Sequence, residues 1–153
     1  MGLKIFYSVL ERARVSLSAG SLGMMQRIYE ESVRFASRRK SGGNTIINYQ
    51  FIQNYISVML VNLEAARLLV YNTAILMDRK KPISIESAAT KLFVTEALMK
   101  SVNNSLHVLG GYGYTRGSVV ERLARDSYAS TLGLGTSEAM RIILSSYIKQ
   151  SQK

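Results

Sequence analysis

Two glycine clusters in the last third of the chain could bring backbone close to a ligand. The first is GGYG at 110–113 and the second is GLGT at 133–136, and each borders a predicted helix end. Glycine allows close backbone approach, and free N–H groups at a helix start can receive an anion. This pattern suits a phosphate-bearing ligand, but ordinary tight turns use the same residues.

The composition excludes several kinds of site. The 153 residues include no cysteine and one histidine, which rules out a disulfide framework, a thiolate nucleophile and a multi-histidine metal site. The apolar N-terminal patch is soon followed by Glu11, Arg12 and Arg14, without a cleavage signal. No run of about 20 apolar residues is evident. We therefore expect a cytoplasmic protein with no metal and no membrane span.

The chain is strongly basic, with a formal net charge of +10. Such a charge favours an anionic partner: nucleic acid, acidic lipid, a phosphate-bearing cofactor or an acidic protein surface. The concentrated basic runs, 38–40 and 79–81, fall at predicted helix ends, where cations meet the negative end of the helix dipole. A solvated basic surface explains most of the charge, so nucleic acid is not the expected partner.

Apolar residues recur at steps of three and four along most of the chain, which is the spacing of a buried helix face. The pattern predicts helices over about 3–40, 45–80 and 84–109, a short helix over 119–128, and a last helix from about 140. Residues 151–153 are expected to fray. No alternating strand pattern is evident. The expected fold is an all-α, antiparallel four-helix bundle with an extra short helix, forming one domain over 1–153.

Two details of this bundle can also be predicted. Ser84 follows the single proline and has the residue type of an N-cap for the third helix. On the second helix, a further apolar row through Phe51, Tyr55 and Val58 indicates packing on more than one side. The second helix is therefore expected to be an inner helix of the bundle.

The stretch 109–141 closely resembles the C-terminal signature of the acyl-CoA dehydrogenase family. The matching segments are GGYGYT at 110–115, VER at 120–122, RD at 125–126 and GTSE at 135–138, in the family's order and spacing. The resemblance continues upstream through 38–40, 49–50 and 63–69. It implies the family's C-terminal helical bundle. Full-length relatives also have an N-terminal helical domain and a middle β domain, which this comparison indicates are absent here.

The resemblance implies an oxidoreductase acting on CH–CH groups, in which a carboxylate removes the α-proton of an acyl-CoA and the β-hydride passes to flavin. The family's usual base position is Leu134 here, and a leucine cannot accept a proton. Some relatives place the base just before an arginine that matches Arg14, and that position is Ala13. Glu11, two residues away, is rotated by about 200° on a helix. We therefore predict no catalytic residue at either position.

The cofactor implied by the resemblance is FAD. Arg39 matches an arginine that contacts the FAD pyrophosphate across a subunit interface, and Gln50 matches a glutamine of the same region. The other FAD-binding candidates belong to the two glycine turns: Gly110, Gly111, Thr136, Ser137 and Glu138. The residue types alone also allow ordinary roles, with Arg39 as a helix-end cation, Gln50 as a surface amide and Thr136 as an N-cap.

His107 is the single histidine, and it stands where relatives carry a glutamine. Its predicted place on the third helix, beside the dinucleotide turn, favours a hydrogen-bonding or partly buried role over that of a general base.

Together these features predict an FAD-associated, acyl-CoA dehydrogenase-like domain or subunit that needs a partner for activity. The expected partners are further copies of the chain or a separately encoded acyl-CoA dehydrogenase subunit, with which FAD would be shared. Acyl-CoA is the possible ligand. Two alternatives stay open: a flavin monooxygenase or oxidase subunit of the same fold, and a non-catalytic basic helical bundle that binds nucleic acid or scaffolds a complex.

Overall fold

A computed structural model describes residues 2–150 as a helical bundle, which confirms the predicted all-α fold. Within this range the helices are α1 (Gly2–Arg38), α2 (Gln50–Asp78), α3 (Ser84–Leu109), α4 (Gly111–Tyr114), α5 (Val119–Leu132) and α6 (Ser137–Gln150). A short antiparallel hairpin, β1 (Lys40–Ser41) with β2 (Asn44–Thr45), and a 3-10 turn (Ile46–Asn48) connect α1 to α2. The expected fraying of 151–153 falls outside the described residues.

The inner helix of the bundle is α3. It packs against α1, α2, α5 and α6, and it buries apolar residues along its whole length, among them Val94, Leu98 and Val102. By contrast, α2 buries one stripe, and Phe51 on its other apolar row is exposed. The expectation that the second helix is internal was therefore wrong for this chain. Periodicity shows that a helix face is apolar, but it does not show what covers that face.

Hydroxyl pairs tie the helices together inside the core. The side-chain oxygens of Ser32 on α1 and Ser105 on α3 lie 2.8 Å apart, and those of Thr73 on α2 and Thr90 on α3 also lie 2.8 Å apart. All four residues are buried. Because a buried hydroxyl needs a hydrogen-bond partner, these pairs favour one longitudinal register between neighbouring helices.

The hairpin between α1 and α2 was not predicted. Gly42 and Gly43 adopt φ values of 56° and 88° at its turn, a left-handed pair that glycine tolerates and that suits a tight hairpin. The Tyr49 hydroxyl donates a hydrogen bond to the Ser41 carbonyl at 2.6 Å. The segment around residue 45 therefore belongs to the hairpin. The helix α2 begins at Gln50, five residues later than predicted.

Two other predicted helix ends also differ. Ile83 is the N-cap of α3 and provides no side-chain hydrogen bond, while Ser84 is the first helical residue. The prediction of Ser84 as the N-cap was therefore wrong. The helix α5 extends past residue 128 to Leu132, because Ser127 and Ser130 are buried in the bundle and tertiary contacts outweigh their weak helix preference.

The helix α2 bears on the expectation that the chain has no membrane span. By length and composition it could cross a membrane, with a mean hydropathy of 1.3 in its most apolar window, and 28% of that window is buried. A single helix of this kind is weak evidence, because core helices of soluble proteins meet the same criteria.

Candidate functional site

An open cleft of about 540 Å³ lies where the end of α1 meets the turn between α3 and α4. Its lining is Phe35, Arg39, Ser41, Ile46, His107, Val108, Leu109, Gly110, Gly111, Tyr112 and Thr115. Folding thus brings Arg39 together with Gly110 and Gly111, about 70 residues further along the chain. We call this the Arg39 cleft.

Aromatic packing positions Arg39 at the wall of this cleft. The guanidinium carbon lies 5.7 Å from the centroid of the Tyr112 ring, a geometry that favours a cation–π attraction. The Tyr112 ring packs in turn on Phe35, with ring centroids 5.6 Å apart. Arg39 is therefore held by α1 and α4 together, beyond its role at a helix end.

The glycine turn leaves space beside the backbone. Gly110 has φ 59° and ψ −140°, a conformation that side chains disfavour. A Cβ at Gly110 or at Gly111 would meet no other atom within 4 Å. The cleft thus combines a guanidinium on one wall with unobstructed backbone, an arrangement that suits a phosphate group.

His107 also lines the Arg39 cleft and is exposed, which contradicts partial burial, one of the two roles expected for it. Its imidazole stacks on the half-buried Tyr55, with centroids 5.3 Å apart and planes 9° from parallel. This contact joins α3 to α2 and presents a flat surface at the edge of the cleft.

The second glycine turn lies away from the Arg39 cleft, at the start of α6. The Thr136 hydroxyl oxygen accepts a hydrogen bond from the Ala139 N–H at 3.3 Å. The pKa of the Glu138 carboxyl is lowered by a hydrogen bond from its own backbone N–H and by one from the Thr136 hydroxyl. Both residues therefore cap α6, which is the ordinary role proposed for Thr136.

The structure thus separates the predicted FAD residues into two groups and one isolated residue. Arg39, Gly110 and Gly111 line one cleft, whereas Thr136, Ser137 and Glu138 lie at the start of α6 and outside that lining. Gln50 lies at the start of α2, is exposed, and is outside the lining as well.

The two segments that carry the positions of the family base meet in space. The Arg14 Nε donates a hydrogen bond to the Leu134 carbonyl at 3.1 Å, so the residue after Ala13 contacts the second glycine turn. Arg14 is buried, and this burial lowers its pKa, while the charge of Glu11 acts in the opposite direction. Leu134 has φ 56°, a strained conformation for a leucine. Neither Leu134 nor Ala13 has a side chain that can take up a proton.

Two further clefts share Glu11 and were missed by sequence reasoning. One, of about 420 Å³, carries Arg12, Lys80 and Lys81. The other, of about 510 Å³, has Arg14 beside apolar residues of α3 and α6. The run 79–81 was interpreted as a helix end, and no local pattern indicates that packing places it beside α1.

Comparisons with known proteins agree with this architecture. Residues 1–148 match the family model described as the C-terminal domain of acyl-CoA dehydrogenase. The mitochondrial short-chain specific acyl-CoA dehydrogenase of Mus musculus is 33% identical over 153 residues, which is 100% of this chain and 37% of the relative. The CarC subunit of the caffeyl-CoA reductase-Etf complex of Acetobacterium woodii is 35% identical over 136 residues, covering 89% of this chain and 36% of that subunit.

A solved structure shows the same fold. Butyryl-CoA dehydrogenase from Megasphaera elsdenii has a TM-score of 0.94 at 26% identity, over 96% of this chain and 38% of that chain. The chain therefore spans little more than a third of the length of these relatives. Members of the family are FAD-dependent oxidoreductases that act on CH–CH groups. The chain belongs to the acyl-CoA dehydrogenase family and has the fold of its C-terminal helical domain.

Proposed function

We propose that this chain is an FAD-holding helical domain of an acyl-CoA dehydrogenase-type oxidoreductase and that it needs a partner to act. The observation that carries this proposal is the Arg39 cleft, which is lined by the guanidinium-bearing Arg39 and by the unobstructed backbone of Gly110 and Gly111. A guanidinium binds the oxygens of a diphosphate through several charge-assisted hydrogen bonds. Bound FAD would supply the hydride acceptor.

The need for a partner follows from the separation of the FAD candidates. Arg39 lines its cleft, whereas Thr136 caps α6 outside that lining. We propose that one FAD is held between the Arg39 cleft of one subunit and the Thr136 turn of another. For FAD binding the second subunit is a copy of this chain, and a separately encoded relative completes the assembly for activity.

An exposed apolar row on α2 supports such an assembly. Val61, Leu68 and Ile75 recur at intervals of one heptad, and their exposed fractions are 68%, 71% and 48%. Large apolar side chains repeated along one exposed helix face are typical of an interaction surface. We propose that this row, which we call the α2 row, packs against the partner.

The clefts that share Glu11 are the proposed place for an acyl-CoA. Arg12, Lys80 and Lys81 supply positive charge for phosphate groups. The adjoining cleft beside Arg14 is lined by Tyr7, Ile85, Ile142, Ile143 and Tyr147, which offer apolar surface to an acyl chain. The cationic cleft thus lies next to the apolar one, and the two match the phosphate groups and the acyl chain of an acyl-CoA.

This chain has no proton acceptor at either position of the family base, so a separately encoded partner has to supply it. Leu134 and Ala13 occupy those positions, and α-proton removal needs a carboxylate held against the α-carbon. A flavin oxidase or monooxygenase is the second candidate function. Leu134 favours it, because such chemistry requires no carboxylate at this position.

The experiment that tests the proposal is size-exclusion chromatography with light scattering on the purified chain, monitored at flavin wavelengths with and without added FAD. We expect FAD to co-elute with a dimer or larger species, and we expect R39M to lose it. The matched control is R38M, which removes the same charge from an exposed neighbour that does not line the cleft. The proposal would be contradicted if the chain does not bind FAD in excess. It would also be contradicted if R39M and R38M bind FAD equally.

A second measurement tests the need for a partner. Butyryl-CoA added to the FAD-loaded chain should leave the flavin absorbance unchanged, because the base is missing. Sustained turnover by the pure chain would refute this part of the proposal. If the missing carboxylate is the sole obstacle in an assembly that binds FAD, L134E should permit flavin bleaching that the unaltered chain does not show.

A further inference from the structure

Two buried cations meet the C-terminal end of α5. The Lys91 Nζ, on α3, donates a hydrogen bond to the Thr131 carbonyl at 2.8 Å, and the Arg14 Nε, on α1, donates one to the Leu134 carbonyl at 3.1 Å. Lys91 is 0% exposed and Arg14 is 5% exposed. The last carbonyls of a helix lack intrahelical partners and carry the negative end of its dipole. Both cations are therefore placed to hold the end of α5 and the turn that follows it.

Burial of the Lys91 ammonium carries a cost for folding. Burial lowers the pKa of Lys91, and the nearby charge of Arg14 lowers it further, while Glu138 and Glu96 act in the opposite direction. Among the residues that the structure describes, the hydrogen-bond partner of Nζ is the Thr131 carbonyl. One such bond does not compensate for taking an ammonium group out of water. An apolar side chain of similar volume would serve the core at least as well.

The segment held by these cations is strained. Leu134 has φ 56° and Gly135 has φ 104°. A leucine in the left-handed region persists only where its surroundings hold it there. The Arg14 bond holds the Leu134 carbonyl itself, and the Lys91 bond holds the helix end just before it. Thr136 follows at once and caps α6, so the position of its hydroxyl depends on this turn.

We propose that Lys91 is a positioning residue which, together with Arg14, fixes the 131–136 turn and thereby places Thr136 for its contact with FAD. Lys91 acts through the Thr131 carbonyl and the turn, without touching the cofactor itself. The role of Lys91 and Arg14 in fixing the turn is inferred from the fold alone. The part that concerns Thr136 and FAD rests on the proposed function.

The test compares K91M, which keeps most of the side-chain volume, with K91Q, which restores a neutral donor. K100M is the matched control, because Lys100 is exposed on the same helix. Amide hydrogen exchange and the urea unfolding midpoint are measured on the full chain without FAD. In K91M we expect exchange at 131–137 to rise by about tenfold or more. The midpoint should stay unchanged or rise, because the desolvation cost of the ammonium disappears.

Unaltered exchange of the turn in K91M, relative to K100M, would overturn the proposal whatever happens to the unfolding midpoint. Partial recovery of slow exchange in K91Q would support a role through the hydrogen bond. If K91M does not fold, R14K provides the same test, because a lysine keeps the charge but moves the donor away from the Leu134 carbonyl. Faster exchange at 133–136 is then expected, and unchanged exchange would again overturn the proposal.

An FAD titration separates this inference from the proposed function. Where the unaltered chain binds FAD, K91M should weaken binding by about fivefold or more, in line with a lost or misplaced hydrogen bond, and K100M should not. Equal FAD affinity in K91M and K100M would overturn the link between the turn and the cofactor. Where the unaltered chain does not bind FAD, the proposed function fails, and the exchange measurement alone decides the role of Lys91.

Discussion

Arg39 and Tyr112 form a contact between two distant parts of the chain, with the guanidinium carbon 5.7 Å from the ring centroid. Tyr112 belongs to α4, the short helix that follows the glycine turn, and Arg39 follows the last residue of α1. Because the Tyr112 ring also packs on Phe35, its own position is set by α1. Tyr112 therefore determines where the cation of the Arg39 cleft lies.

Replacement of Tyr112 by alanine should weaken FAD binding without unfolding the protein. An exposed cation–π contact contributes about 0.5–1 kcal/mol, so we expect a loss of affinity of about two- to fivefold. Fluorescence titration with FAD measures it. Y128A is the matched control, because Tyr128 and Tyr112 are both 63% exposed and Tyr128 is outside the cleft lining. Equal affinities of the two variants would argue against a role for Tyr112 in positioning Arg39.

Gly135 and Gly20 should respond oppositely to alanine. Gly135 has φ 104°, and an added Cβ would lie 2.7 Å from the Met140 Cε. G135A should therefore destabilise the fold by about 1–2 kcal/mol or more. Gly20 lies inside α1, where an added Cβ meets nothing within 4 Å, so G20A should stabilise by about 0.5–1 kcal/mol. Urea unfolding gives both values, and a shift of the same sign in both variants would contradict this interpretation.

A charge on the α2 row should disrupt assembly and leave the fold intact. Leu68 is 71% exposed, so L68E costs little in the single chain, but a buried unpaired carboxylate in an interface costs several kcal/mol, on the order of 3–5. Light scattering should show smaller particles for L68E, with an unchanged circular dichroism spectrum. The control N103E adds the same charge at an exposed polar position of α3. If L68E and N103E assemble alike, the α2 row is not the interface.

Glu138 should contribute to stability in a pH-dependent way. Hydrogen bonds from its own backbone N–H and from the Thr136 hydroxyl lower its pKa in the folded chain, relative to the ordinary value of 4.5. Its contribution is therefore fully present above that value, and it is lost as the pH falls through the lower, folded pKa. The difference in unfolding free energy between the unaltered chain and E138Q should therefore become smaller as the pH falls below 4.5. Parallel stability profiles down to low pH would count against the cap.

The long helices could be predicted from the sequence because each one carries its own signal. Steps of three and four indicated the long helices α1, α2 and α3. They did not locate the buried face of α1, where Leu3 and Phe6 of the apolar row are exposed and Met25 and Ile28 are buried. The ends were harder to predict. The hairpin at Gly42 and the extension of α5 to Leu132 depend on contacts with other elements, and no local pattern reports such contacts.

The family resemblance correctly identified the fold. It also drew attention to residues for which the structure gives a definite location. Arg39, Gly110 and Gly111 share one cleft, and Thr136 caps α6. Their contact with FAD stays a prediction. Lys91 was not noticed, because a lysine at one position of an amphipathic helix is ordinarily solvated. Its complete burial appears only once α5 packs over α3.

The sequence by itself determined the all-α class, the main helices, the family and the lack of a carboxylate at Leu134 and Ala13. These properties depend on residue type and local periodicity, which can be read without coordinates. The tertiary structure decided that α3 is the inner helix, that Tyr112 holds Arg39, and that Arg14 and Lys91 meet the end of α5. Each of these contacts joins residues that are distant in the chain, so it exists only once helix packing has brought them together.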